Sequence, residues 1–130
     1  MKFRAVSPET RMNYMMWSLQ QEIRKEEKYL ASLDYDPSPI MKIVKARIDA
    51  WDPVHFIEMD GQDDEYDTES RSITIYVTKH LDALDETALA QAIDRIITKA
   101  FLDLYVPSGE SLEVAGHIIA DLKQSKEVRA

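Results

Sequence analysis

No cysteine occurs in this 130-residue chain, and glycine only three times. Without cysteine there is no disulfide framework, no thiolate nucleophile and no thiolate metal site. With so little glycine no phosphate-cradling loop can be built, and no serine sits in a G-x-S-x-G context. Long apolar runs are missing too: "IMKIV" and "HIIA" fall far short of a bilayer span. The start, "MKFRAVSPETRM", lacks the apolar stretch of a secretory signal. The expectation is a cytoplasmic protein, off the membrane, with no cofactor and no enzymatic activity.

A further absence is local. Residues 52–70, "DPVHFIEMDGQDDEYDTES", contain no lysine or arginine but eight of the chain's 24 carboxylates. The other sixteen acids match the sixteen bases, so the whole net charge of -8 resides in this one segment. Such acidity argues against nucleic acid and against anionic lipid, since both would be repelled. A basic protein is the partner that charge allows.

What is present points to helices. Apolar content of 45% with 31% charged residues is ordinary for a globular chain, and this length can bury roughly two thirds of its unfolded surface in one core. Ser7-Pro8 offers a cap followed by a proline at the first helical position. Met12, Met15, Met16, Leu19, Ile23, Leu30 and Leu33 then share one helical stripe, interrupted by "RKEEK". "YDPSP" breaks this long helix, and Ser38-Pro39 repeats the start signal ahead of Ile40, Met41, Val44, Ile48 and Trp51. Asp52-Pro53 is a third such signal, for a short helix holding Phe56 and Ile57 and ended by Gly61. "TESRSITIYVTKHL" fits a helix or a strand; helix is preferred because no second strand is visible to pair with it. Behind Asp85, Leu89, Ile93, Ile96, Ile97, Ala100, Phe101 and Leu104 predict a strong amphipathic helix. Leu112, Ala115, Ile118, Ile119 and Leu122 predict the last. The expected fold is all-α: about five helices in a small bundle, with residues 1–37 a long N-terminal helical extension on a compact core at 38–130, one structural unit overall.

Trp51, Asp52 and Pro53 end a helix and are followed, after a short spacer, by Asp64, Glu65 and Tyr66, with Glu69 as a later acid. On this motif residues 40–122 resemble the YugE-like proteins, small bacterial all-helical proteins of unknown function. The resemblance implies an all-α fold, including a helical reading of residues 68–81, and carries no activity with it. That family tends to have glycine where this chain has His55, and usually lacks the long N-terminal helix. The added helix suggests an added interaction surface.

The acidic cluster has a plain explanation and two functional ones. Asp52, and Asp64 or Thr68, can cap helix N-termini, where exposed N–H groups favour negative charge by about 0.3–1 kcal/mol each. Alternatively Glu58, Asp60, Asp63, Asp64, Glu65, Asp67 and Glu69 form a face for a basic partner. A calcium loop is not formed, because "DGQDDEYDTESR" has its glycine second, whereas the template needs it sixth. No metal is therefore expected. Trp51 and Tyr66 read as core aromatics, with the Trp51 indole N–H reaching Asp52 or Asp64. His55 with Glu58, and Glu113 with His117, share helical faces, but the paired Glu-x-x-His of a di-metal bundle is missing. Met12, Met15 and Met16 are either ordinary core or, with Leu19, an adaptable face buried by a second copy of the chain. Together these expectations describe a self-associating interaction module. The alternative is an immunity- or antitoxin-like acidic inhibitor of a basic protein such as a nuclease.

Overall fold

The computed structural model describes residues 8–55 and 65–125, with residues 8–12 and Tyr14 as backbone only. Five α-helices account for most of them, and no strand occurs among the described residues: α1 Pro8–Ala31, α2 Ser38–Trp51, α3 Asp67–Lys79, α4 Glu86–Phe101 and α5 Glu110–Gln124. Single 3-10 turns at Leu81–Ala83 and Leu102–Leu104 lead into and out of α4.

The chain divides into two compact units, Met1–Leu33 and Asp34–Ala130. Tyr35 packs on the core of the second unit.

In the second unit α2 packs on α3 and α5, and α4 also packs on α3 and α5, so the four helices close a ring. Ile40, Val44 and Ile48 from α2, Ile73 and Val77 from α3, Leu89, Ile93 and Ile97 from α4, and Ala115 and Ile118 from α5 fill its centre at 2% exposure or less. Each helix donates residues spaced by three and four, the spacing that puts them on one face.

The helix starts use carboxylates. Asp85 is the α4 cap, accepting from the Ala88 N–H at 2.8 Å. At α2 the sequence places the cap on Ser38, but the helix begins at Ser38 and the carboxylate of Asp36 takes its N–H at 2.9 Å. That backbone bond holds Asp36 below the usual carboxylate range, and the nearby Lys42 ammonium acts in the same direction.

The ambiguous segment is helix α3. Ser70, Ile73, Thr74 and Val77 are its buried face, a helical spacing that the β-branched run conceals. The Thr74 hydroxyl donates to the Ser70 carbonyl one turn back, which lets a polar side chain stay buried.

Three inward assignments are corrected. Ala100 and Leu104 are exposed, and Tyr105 occupies the core position instead. For Leu104 the reason is a backbone turn: α4 stops at Phe101 and Leu102 adopts φ 50°, ψ -121°, which rotates the following residues off the stripe, while Ala100 lies in the last turn of α4, past its final buried residue Ile97. Leu112 is also exposed, because the inward face of α5 runs through Ser111, Val114, Ala115, Ile118 and Leu122.

Candidate functional site

Asp52 is not the start of a new helix. It is the last cap of α2, in the left-handed region (φ 49°, ψ 64°), with its N–H on the Ile48 carbonyl. Its carbonyl accepts from the His55 N–H at 3.0 Å, closing a turn around Pro53 in which His55 is also left-handed (φ 61°). The Tyr66 hydroxyl donates to Asp52 Oδ1 and accepts from the Val54 N–H at 3.2 Å. Tyr66 has no exposed surface, and its ring lies edge-on to Phe101 at 5.7 Å. One buried phenol thus ties together both flanks of the acidic segment.

Of the seven acids proposed as a partner face, Glu58, Asp60, Asp63 and Asp64 lie outside the described residues, as do Phe56, Ile57 and Gly61. The other three are placed. Glu65 is half-buried, Asp67 is exposed and Glu69 is buried. Asp67 accepts from Lys45 Nζ at 2.6 Å, and the same ammonium reaches Asp49 at 2.8 Å. Burial works against the Lys45 charge, but the two carboxylates outweigh it and raise its pKa. Asp67 and Glu69 stand in the first turn of α3, where the helix dipole favours them, and the cap position is Tyr66 rather than Thr68.

Trp51 is half-buried at the end of α2. Its indole N–H donates to Glu110 Oε2 at 2.9 Å, not to Asp52 or Asp64, and its ring meets Tyr105 edge-on at 5.8 Å. Burial, and then the adjacent Asp94 carboxylate, push the Tyr105 phenol well above its ordinary pKa, so it remains a donor to Asp94 at 2.6 Å. Farther along the same seam Arg47 clasps Asp121 through two bonds of 2.6 and 2.9 Å. That clasp, led by the guanidinium bonds, holds the Asp121 carboxyl below its usual range.

In the first unit, Met15, Met16 and Leu19 are exposed by 60%, 52% and 54%. Trp17, outside the stripe read from spacing, is exposed as well; its place in "MMW" was the available signal. The side chain of Met12 is not among those described. Farther along α1, Ile23 is half-buried and Leu30 buried.

Among the described residues no three His, Asp or Glu side chains converge to hold a metal ion, and no helix is long and apolar enough to cross a membrane. No protein-family model, curated protein or solved structure matches the chain.

Proposed function

We propose that the chain is a non-enzymatic cytoplasmic interaction module that self-associates through α1. The observation carrying this reading is the exposure of Met15, Met16, Trp17 and Leu19 on adjoining turns of one helix. Most helical stability in proteins comes from burying an apolar face. Methionines and a tryptophan suit a surface that repacks against a partner. A second copy supplies the same surface by symmetry, so both faces are covered at once.

Sedimentation equilibrium of the full chain and of M16E/L19E tests this. A dimer for the parent and a monomer for the variant, with unchanged helical circular dichroism, is the expected pair. A parent that stays monomeric at high micromolar concentration would rule self-association out.

A second reading, inhibition of a basic protein such as a nuclease by the acidic segment, draws support from the Asp52–Tyr66 tie, which anchors the flanks of that segment. Capture of a basic protein from lysate, lost steeply with salt, is its test; recovery of none at any salt removes it. The resemblance to the YugE-like proteins stays part of the proposal. It is supported by the left-handed backbone at His55, where those proteins tend to have glycine.

A further inference from the structure

Along the seam where α2 and α5 run antiparallel, the small side chain of Ala50 leaves a cleft of about 280 Å³. Arg47 stands at one end and Trp51 at the other, with Glu110, Glu113 and His117 on the facing wall. The lining divides into engaged and available groups. Both Arg47 bonds go to Asp121, so its charge is already neutralised. The Trp51 N–H is held by Glu110, whose other oxygen accepts from Ser108 at 3.2 Å. The exposed Glu113 carboxylate and His117 imidazole make no hydrogen bond among the described residues.

We propose that this cleft binds an alkyl cation, a guanidinium or ammonium group on a short methylene chain. Three features select that chemistry. The lining carries two carboxylates, Glu110 and Glu113, against the imidazole of His117 and the guanidinium of Arg47, which Asp121 already pairs, so the carboxylates favour a cation over an anion. Ala50 and Val114 give an apolar floor that suits methylenes. The half-buried Trp51, whose ring meets Tyr105 edge-on, brings a π-system to the lining. The volume falls near the lower end for small-ligand sites, which suits one side chain or a small amine rather than a larger metabolite. The group can come from an arginine or lysine of a basic peptide or from a free amine.

The full-length W17F variant leaves Trp51 as the one tryptophan, since the chain has two. Its fluorescence is titrated with agmatine, with Nα-acetyl-arginine amide, and with butanol and inorganic phosphate as uncharged and anionic controls. A saturable change with one or both cations, with a dissociation constant on the order of 1 mM, and none with the controls is expected. The tighter of the two cations identifies the source. In the same background E113Q should weaken binding at least about fivefold, and A50L, which fills the cleft, should abolish it. Glu113 is exposed, so E113Q decides the matter if A50L does not fold. No saturable response to either cation up to tens of millimolar, or equal affinity in folded E113Q, overturns the proposal.

Discussion

Replacing Tyr66 by phenylalanine removes one oxygen and leaves the ring, with its edge-on contact to Phe101, in place. The substitution removes the hydroxyl's bonds to Asp52 and Val54. The bond to the Asp52 carboxylate involves a charged acceptor, a class that contributes about 1.5–3 kcal/mol net. The Val54 N–H, in a residue only 8% exposed, is left without this acceptor, a penalty of about 1–3 kcal/mol. Some relaxation of the Pro53 turn offsets part of both, so Y66F should lose about 3 kcal/mol. That corresponds to roughly 10–25 °C in melting temperature for a unit of this size.

Urea denaturation followed by circular dichroism measures the loss, and amide exchange at Val54 locates it. Asp52→Asn keeps a neutral acceptor and should lose less, about 1–2 kcal/mol. A double-mutant cycle between Asp52→Ala and Y66F should show a coupling of at least about 1 kcal/mol, because the two groups touch. A Y66F loss below about 0.5 kcal/mol, or simple additivity in the cycle, would refute the idea that this phenol closes the acidic segment.

Three further outcomes follow from local geometry. Leu102 is 69% exposed and holds a backbone conformation that glycine adopts freely, so Leu102→Gly should stabilise the protein by about 1 kcal/mol in urea melts; destabilisation would show that the turn is not strained. Gly116 lies mid-helix, where alanine is favoured by about 1 kcal/mol, and its new methyl would meet only the exposed, flexible carboxylate of Glu86. Gly116→Ala should therefore raise the urea midpoint, and a fall would mean that Glu86 cannot swing aside. Because the folded-state pKa of Asp121 is depressed by Arg47, the stability from that clasp is complete above the ordinary aspartate value near 4 and is lost as pH falls through the lower folded value. The gap in stability between the parent and Asp121→Asn should be full at pH 6 and close in strong acid; a gap that persists there contradicts the assignment.

The helices were legible because their start signals are local. Asp85 caps α4 as its position ahead of the apolar stripe implies, and Pro39 lies in the first turn of α2, though the cap position there is Pro37 and Asp36 takes the Ser38 N–H. The helical state of residues 67–79 was harder to see, since Ile73, Ile75 and Val77 alternate like a strand while Ser70 and Thr74, polar by composition, complete the buried face. What depended on distance in the chain was not legible. Trp51 finds Glu110 rather than a neighbouring aspartate because α5 is antiparallel to α2, and a partner 59 residues away leaves no mark on spacing. The turn at Leu102 was equally hidden, because a positive φ is advertised by glycine and here falls on leucine. The exposed methionines of α1 could be read as a stripe, but periodicity says only that residues share a face, not whether anything covers it.

The placement of charge gives ionic strength an unusual sign. Surface ion pairs such as Lys45–Asp67 weaken with added salt, and each contributes little. Against them stand the other seven carboxylates of residues 52–70, a stretch with no base of its own whose ends the Asp52–Tyr66 bond draws together. Repulsion among like charges opposes that closure and is screened by salt, since the Debye length shrinks from about 30 Å at 0.01 M to about 8 Å at 0.15 M. Repulsion within one segment should outweigh a few pairs, so the urea midpoint is expected to rise between 0.01 and about 0.3 M sodium chloride. Y66F has already released the closure and should gain less from the same salt. A parent midpoint that falls with salt, or an equal gain in Y66F, would mean that the repulsion is not borne by this bond.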